Sequence, residues 1–473
     1  MRRNKNKNTE IYVLVYIFLT IFLIMIGYFA YYVQFVSIDQ VNNSYNTRQE
    51  KLEKRIIRGN IVAEDGKTIL AGTKVLADGK ETRVYPYGSA FAHVVGYSTK
   101  GRTGIELLEN ISLLTSNANI GERIANELGE EKNMGDTIVS TLNVELQQTA
   151  DSILGENTGA IVAMDPDTGK IKALVSHPAF DPNDIVSNWE SLNQQTDSAP
   201  LLNRAVSGLY PPGSTFKIVT LLEYLKENDN PEEYSFDCKG SFSEDGNTIN
   251  CYHGSVHGNV DLKKSFAKSC NSSFANIGYG LDVAEFKNTA EDLLFNKALP
   301  IKGNYQKSKF ELDNNSDSAN ILQASIGQGS TLISPMHLCM ITQAIANGGM
   351  LLRPYYVDRI ENYEGVVMKQ YKTSQYGRVM SEDESQQLLE YMIDVVQEGT
   401  ASDLADTKYV CAGKTGSAEY SKDKKESHAW YTGIGDLYGK RLVVTVLVEN
   451  GGSGSKSAVP MAKAVFDKYY EGD

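Results

Sequence analysis

The feature of this sequence that most constrains its fold is an apolar run near the N-terminus. Residues 11–33 form one stretch without a charged side chain. A helix needs about 20 apolar residues to cross the hydrocarbon core of a bilayer. The run therefore predicts a transmembrane anchor, preceded by a short tail over residues 1–10.

The charges on either side of the run predict its orientation. The first charge after it is Asp39, whereas four cations precede it, namely Arg2, Arg3, Lys5 and Lys7. Positively charged flanks stay in the cytoplasm, so we expect a single-pass protein with its tail inside and everything after residue 33 outside. The alternative is a cleaved signal peptide, but that would have a shorter apolar core followed by a small-residue cleavage site.

The composition describes the remaining chain as ordinary globular protein. Of 473 residues, 41% are hydrophobic and 22% are charged, which suits two or three domains. The formal net charge is −13. Because nucleic-acid binders present a basic face, this charge argues against a nucleic-acid partner.

An odd number of cysteines cannot all pair within one chain, and the five here are Cys238, Cys251, Cys270, Cys339 and Cys411. Cys238 and Cys251 share a Gly-, Ser- and Asn-rich stretch and could form a disulfide in an oxidising compartment. Two unpaired thiols are the other interpretation. Cys251, His253 and His257 lie close together, but a fourth ligand is not evident, so the sequence predicts no metal site.

Turn and strand signals divide the extracytoplasmic part in two. Residues 34–140 are expected to form a polar, helix-compatible stalk to about residue 53 and then a strand-rich pedestal. In residues 141–473 we expect an early helix (141–154), a hairpin (160–164 with 171–175), late strands (429–435 and 442–448) and a last helix from about 459. Strands at both ends with helices between them predict an α+β domain whose antiparallel sheet is flanked by helices.

A candidate nucleophile follows a helix-start signal. Pro211, Pro212 and Gly213 lead into Ser214, and an apolar helix follows. Lys217 is three residues further on, so it shares a helix face with Ser214 and could act as its base. The spacing alone is weak, because Ser265–Lys268, Ser421–Lys424 and Ser453–Lys456 repeat it without this context.

Two further motifs lie downstream of Ser214. Ser269 and Asn271 offer a hydroxyl that could relay a proton and an amide that could orient a lysine and a substrate, although Ser-x-Asn more often only caps a helix. The segment Lys414-Thr415-Gly416-Ser417 offers a cation beside a glycine that lets a substrate backbone approach. Its alternative interpretation is a turn between strands.

In this order, the three motifs match the S-x-x-K, S-x-N and K-T-G set of penicillin-binding proteins and serine β-lactamases. From about residue 58 onwards the sequence resembles the class B penicillin-binding proteins. Two pedestal landmarks, at residues 58–61 and 104–106, support this resemblance. So do segments before the nucleophile, at residues 176–183 and 203–205, and segments after it, at residues 327–329, 334–335, 346–349 and 428–430. It departs from the family pattern at Ser417, where Thr is frequent, and at Asn143, where Asp is usual.

The resemblance implies roles for the motif residues. Ser214 would attack the penultimate D-Ala carbonyl of a peptidoglycan stem peptide, with Lys217 as base, Ser269 as proton relay and Asn271 orienting lysine and substrate. Lys414, Thr415 and Gly416 would bind the substrate carboxylate and backbone, and the N–H groups of Ser214 and Ser417 would form an oxyanion hole. β-Lactams would acylate the same serine. No metal or organic cofactor is implied.

Other functions use the same motifs. A carboxypeptidase or β-lactamase would transfer the acyl group to water, and a sensor would only bind the drug; a scaffold that mainly activates a polymerase is a third alternative. The pedestal and anchor favour transpeptidation, and the short tail leaves no room for a signalling domain. The resemblance also implies a membrane partner from the SEDS family of glycan polymerases, contacted through the anchor and pedestal.

Overall fold

The computed structural model describes residues 9–32, 52–419 and 427–472. The helix Thr9–Tyr31 is 23 residues long and has no buried residue, so its length and composition suit a membrane span. It begins two residues before the predicted anchor. The predicted stalk lies almost entirely outside the described residues.

The pedestal is built on a six-stranded sheet. Its strands, in spatial order, are Val367–Gln370, Val357–Glu361, Thr137–Ser140, Ile61–Val62, Ile69–Val75 and Glu81–Val84. A two-stranded parallel pair, Ile56–Ile57 with Asn133–Met134, lies beside it. Short helices accompany the sheet at Ala92–Val95, Gly104–Leu108, Asn110–Leu113 and Ile120–Leu128. The first two strands of the sheet come from late in the chain, so the pedestal is completed by residues far beyond 140. The predicted boundary at 140 stays a prediction.

The core of the remaining chain is a five-stranded antiparallel sheet. Its order is Val410–Glu419, Ser427–Leu437, Lys440–Val448, Gly159–Met164 and Ile171–His177. Early and late strands therefore share one sheet, as predicted. The predicted hairpin is present, with Ile161 opposite Val175 and Gly169 at a φ of 77° in the turn.

Helices cover both faces of this sheet. Thr432 bonds through its hydroxyl to Thr342 of the helix Pro335–Ala346, whereas a Cβ on Gly435 would meet Phe466 of the helix Gly454–Tyr469. Since positions of opposite parity on a strand face opposite sides, the two helices lie on opposite faces. The fold is thus the α+β arrangement that the sequence predicts.

The rest of this part of the chain contributes further helices and short strands. Its helices are Val144–Leu154, Trp189–Gln194, Arg204–Ser207, Lys217–Glu227, Leu262–Ala267, Asn271–Gly280, Val283–Asp292, Ser318–Ser325 and Glu382–Gln397. Short strands are Ser235–Cys238, Ser241–Glu244, Asn247–Asn250, Gly258–Asp261, Met350–Leu352 and Gln375–Arg378.

Two helices begin at other residues than the sequence predicts. The last helix begins at Gly454, not near residue 459, because Pro460 lies inside it and does not start it. A proline in the interior lacks the N–H of one backbone bond but does not always end a helix. The helix predicted over 141–154 begins at Val144, because Asn143 caps it by accepting a hydrogen bond from the Leu146 N–H.

Candidate active site

The first motif lies on a 3₁₀ turn that continues into a helix. Gly213–Phe216 form the turn, and the α-helix Lys217–Glu227 follows directly. Gly213 has a φ of 54°, and a Cβ there would lie 2.9 Å from the Ser417 carbonyl. Glycine is therefore required both for the left-handed backbone and for the close approach of the third motif. Ser214 is partly exposed and lines the cleft, while Lys217 is fully buried.

Lys217 is held by the second motif. Its ammonium donates to the Ser269 carbonyl at 2.8 Å and to Asn271 Oδ1 at 2.8 Å, and it lies 3.3 Å from Ser269 Oγ. Ser269 has a φ of 56°, a region sparsely populated by residues other than glycine. This conformation lets one residue present both its carbonyl and its hydroxyl to the lysine.

The second lysine meets the same hydroxyl. Lys414 Nζ donates to Ser269 Oγ at 2.9 Å and to the Thr415 carbonyl at 3.1 Å, and its side chain is fully buried. The Lys-Thr-Gly segment lies within the strand Val410–Glu419, so its interpretation as a turn is wrong. Ser269 Oγ thus lies between two lysines that are 197 residues apart in sequence (414 − 217).

Burial changes the acid–base properties of both lysines. Desolvation lowers the pKa of Lys217 to about 7, from an ordinary value of 10.5. The pKa of Lys414 is also lowered, first by burial and then by repulsion from Lys217. Burial is therefore the main cause of the lowered pKa of Lys217, and a fraction of the Lys217 side chains would be uncharged near neutral pH.

The strand of the third motif is closely packed against its neighbours. A Cβ on Gly416 would lie 2.9 Å from the Pro212 carbonyl, and one on Gly454 would lie 2.4 Å from the Gly416 carbonyl. Ser417 Oγ accepts a hydrogen bond from the Gly454 N–H at 3.2 Å. Thr415 bonds through its hydroxyl to Thr400. Thr415, Gly416 and Ser417 all line the cleft that holds Ser214.

The structure adds supporting residues that the sequence analysis did not assign a role. Glu449 accepts hydrogen bonds from Arg204 Nε and the Tyr210 hydroxyl, each at 2.8 Å, and so fixes the chain leading to Ser214. Gly327 accepts a bond from the Gly213 N–H at 2.9 Å. Thr400, Gly454 and Glu449 carry no local sequence signal, because each acts only on residues brought near by the fold.

Thus all three predicted motifs meet in one cleft. Tyr252, His253 and His257 also line this cleft. A partly exposed serine beside a buried lysine with a lowered pKa suits acyl transfer to Ser214.

Comparisons with known proteins match two segments of this chain to known families. Residues 159–467 match the penicillin binding protein transpeptidase domain family, and residues 58–138 match the penicillin binding protein A dimerisation domain family. The peptidoglycan D,D-transpeptidase PbpA of Mycolicibacterium smegmatis is 29% identical, over 90% of this chain and 93% of that protein. The peptidoglycan D,D-transpeptidase MrdA of Acinetobacter baumannii is 27% identical, over 82% of this chain and 66% of that protein.

Solved structures show the same fold. The ceftriaxone acyl-enzyme complex of penicillin-binding protein A from M. tuberculosis has a TM-score of 0.79 and 28% identity, and the match covers 89% of this chain and 100% of that one. A D,D-transpeptidase domain from Eggerthella lenta also has a TM-score of 0.79 and 28% identity, covering 88% of this chain and 99% of that one. With the transpeptidase match spanning well over half of its length, this chain belongs to the family of class B-like penicillin-binding protein transpeptidases.

Proposed function

We propose that this chain is a peptidoglycan D,D-transpeptidase that cross-links stem peptides through an ester on Ser214. Ser214 Oγ attacks the penultimate D-Ala carbonyl and loses its proton to neutral Lys217. The C–O bond forms first and gives a tetrahedral oxyanion; the amide C–N bond then breaks, and the terminal D-Ala leaves as an amine that takes the proton held by Lys217 through Ser269. An amine from a neighbouring stem then attacks the ester carbonyl. The new C–N bond forms, the C–O bond to Ser214 breaks, and the proton lost by the amine passes through Lys217 to Ser214 Oγ.

The observation that carries this proposal is the sharing of Ser269 Oγ by Lys217 and Lys414. A hydroxyl in contact with both lysines can pass a proton from Lys217 towards the leaving amine. Lys414, Thr415 and Gly416 are suited to hold the substrate's terminal carboxylate and backbone, and Asn271 to orient Lys217 and the substrate amide. Backbone N–H groups of Ser214 and Ser417 would stabilise the oxyanion.

β-Lactams resemble the scissile amide and would acylate the same serine. The test is labelling of the full-length protein with fluorescent penicillin, with and without Ser214→Ala. We expect the substitution to abolish covalent labelling. A matched control is Ser421→Ala, which removes the serine of another S-x-x-K sequence and should leave labelling intact. Labelling that survives Ser214→Ala would contradict the assignment of Ser214 as the nucleophile.

Transfer to an amine, and not to water, separates this function from that of a β-lactamase or carboxypeptidase. The pedestal matched over residues 58–138 and the N-terminal apolar helix support the transpeptidase. We expect penicillin to form a stable adduct. Rapid hydrolysis of the drug with multiple turnovers would instead indicate a hydrolase.

The apolar helix and its flanking charges support a single-pass membrane protein with its N-terminus in the cytoplasm and its catalytic part outside. The family resemblance supports a SEDS-type glycan polymerase as the membrane partner. The contact would involve the anchor helix and the pedestal, leaving the catalytic cleft free for stem peptides.

A further inference from the structure

Three thiols and one imidazole meet beside the active-site cleft. Cys238 ends one strand, Cys251 follows another, His257 precedes a third, and Cys270 caps the helix Asn271–Gly280. Their four ligand atoms all lie within 4.8 Å of one another. The sequence grouped Cys251 with His253 and His257, and separately with Cys238 as a possible disulfide; it is the fold that joins Cys238 and Cys270 to Cys251 and His257 in one cluster.

The spacing of the four atoms fits a tetrahedral metal ion. Zn–S bonds of about 2.3 Å and Zn–N bonds of about 2.0 Å place neighbouring sulfurs about 3.8 Å apart and sulfur and nitrogen about 3.5 Å apart in a regular tetrahedron. Here Cys251 Sγ lies 3.7 Å from both Cys238 Sγ and Cys270 Sγ, and Cys238 Sγ lies 3.4 Å from His257 Nδ1.

The surroundings of the sulfurs suit thiolates. All three cysteines are buried. The Ser272 N–H points at Cys251 Sγ at 3.5 Å, and the Ser272 hydroxyl lies 3.0 Å from the same sulfur. The Ser273 N–H points at Cys270 Sγ at 3.4 Å. Donors from a helix N-terminus stabilise negative charge on sulfur and orient the ligands of a metal.

A disulfide accounts for less of this arrangement. Any one bridge among Cys238, Cys251 and Cys270 would leave the third thiol and the imidazole of His257 without a role. The bonded sulfurs would also have to approach to about 2.05 Å, whereas all three cysteines are free thiols in this structure.

We propose that Cys238, Cys251, His257 and Cys270 form a structural zinc site. Thiolates and imidazole are the ligands that favour Zn²⁺. Four protein ligands leave no coordination position open for water or substrate, as in structural zinc sites. The ion would join the strands Ser235–Cys238 and Gly258–Asp261 to the start of the helix Asn271–Gly280. This proposal replaces the expectation that the chain has no metal site.

The zinc site would also affect catalysis. This part of the inference rests on the proposed function. Cys270 lies between Ser269 and Asn271, the two residues to which Lys217 donates its hydrogen bonds. A metal bound to Cys270 would therefore fix both residues relative to Lys217. The four ligands are positioning residues, since none of them belongs to the reacting groups.

The first test is the metal content of the full-length protein, purified in detergent without chelators. We expect about one zinc ion per chain, as for a closed four-ligand site, and its loss in Cys270→Ser. Cys339→Ser is the matched control, because Cys339 is equally buried but lies outside the cluster. Native protein without zinc, or a Cys270→Ser variant that keeps it, would overturn the proposal.

A second measurement does not depend on any cluster variant folding. Replacement of the ion by Co²⁺ in the native chain should give thiolate-to-cobalt charge-transfer bands and the visible bands of a tetrahedral site. Absence of these bands would contradict the site. A Cys238–Cys251 or Cys251–Cys270 disulfide found by mass spectrometry in the protein as purified would also overturn it.

The link to catalysis is tested separately. Removal of zinc by a chelator should slow acylation by fluorescent penicillin at least about tenfold, which is the scale of effect expected for outer positioning groups, and added Zn²⁺ should restore the rate. Unchanged acylation by zinc-free protein would refute the positioning role. Ser214→Ala should still bind zinc, so failure of the proposed nucleophile and failure of the metal site are distinguishable.

Discussion

At the scale of single residues, the chemistry of the site depends on where Lys217 is buried. A lysine in water is protonated at neutral pH and cannot accept a proton from Ser214. Desolvation lowers the pKa of Lys217 to about 7, while its contacts to Ser269 and Asn271 keep it in place. Since the charged form loses its hydration on burial, a lysine can serve as the proposed base in place of a histidine.

This pKa predicts how acylation depends on pH. Below about 7, Lys217 is mostly cationic and cannot act as base, and above that value it is neutral. The second-order rate constant for acylation should therefore rise as pH increases through about 7 and then level off. It can be measured with fluorescent penicillin between about pH 5 and about pH 9. A rate that stays flat across this range, in protein that remains folded, would contradict Lys217 as the base.

At the scale of elements, the nucleophile turn depends on a glycine from another segment. Gly327 has a φ of 71°, and a Cβ there would lie 2.2 Å from the Gly213 carbonyl and 2.6 Å from Phe216 Cβ. The turn that carries Ser214 therefore packs against backbone that has no room for a side chain. Both the clash and the left-handed conformation would oppose a substitution.

Gly327→Ala is expected to displace this turn and to lower the acylation rate at least about tenfold, because small misplacements of reacting groups are costly. Gly439→Ala is the control. Gly439 also has a positive φ, 87°, but a Cβ there meets nothing within 4 Å, so it adds backbone strain without a clash. The measurement is acylation by fluorescent penicillin at a fixed pH. Equal effects of the two substitutions would argue that only backbone strain matters.

A buried charge network joins the two pedestal landmarks of the sequence. Arg58 Nε donates to Glu106 Oε2 at 2.7 Å, and Arg83 Nε donates to Glu106 Oε1 at 2.7 Å. Glu106 is fully buried. Burial by itself would raise the pKa of Glu106, but the charges of the two arginines outweigh it and the pKa is lowered.

Glu106→Gln should destabilise the pedestal by about 3–5 kcal/mol, because it leaves two buried cations without their anion. Glu81→Gln is the control, since Glu81 pairs with Lys132 at a more exposed position and an exposed pair contributes about 0–1 kcal/mol. Hydrogen exchange of peptides from residues 52–140 measures the local opening free energy. Similar exchange in the two variants would show that the buried network contributes no special stability.

At the scale of the whole molecule, the anchor and the catalytic part do separate tasks. The helix Thr9–Tyr31 has the length and composition of a membrane span, and the cleft with Ser214 is formed only by residues beyond 200. Lipid contact and acyl transfer therefore use different residues. This separation allows the proposed polymerase contact to be changed without touching the cleft.

Replacement of residues 11–33 by an unrelated transmembrane segment should reduce co-purification of a SEDS-type polymerase while leaving fluorescent penicillin labelling unchanged. The physical reason is that helices in a membrane associate through the packing of specific side chains, which a general apolar segment lacks. Labelling serves as the internal control for folding. Unchanged co-purification would count against contact through the helix and leave the pedestal as the remaining surface.

Features that depend on neighbours in the chain could be predicted from the sequence. The length of the apolar run and its flanking cations predicted the anchor, and the spacing of Ser214 and Lys217 after a proline-glycine start predicted the nucleophile helix. Turn residues between two apolar segments predicted the hairpin at 160–175. These patterns are readable because the responsible forces act over a few residues of backbone or one helical turn.

Which distant residues meet is seen in the three-dimensional fold and not in the sequence. It brought Lys217 and Lys414 to one hydroxyl, completed the pedestal sheet with strands from residues 357–370, and gathered Cys238, Cys251, His257 and Cys270 into one cluster. The low pKa of Lys217 likewise depends on burial by the whole fold. Such contacts follow from packing of a common core, which no local spacing encodes.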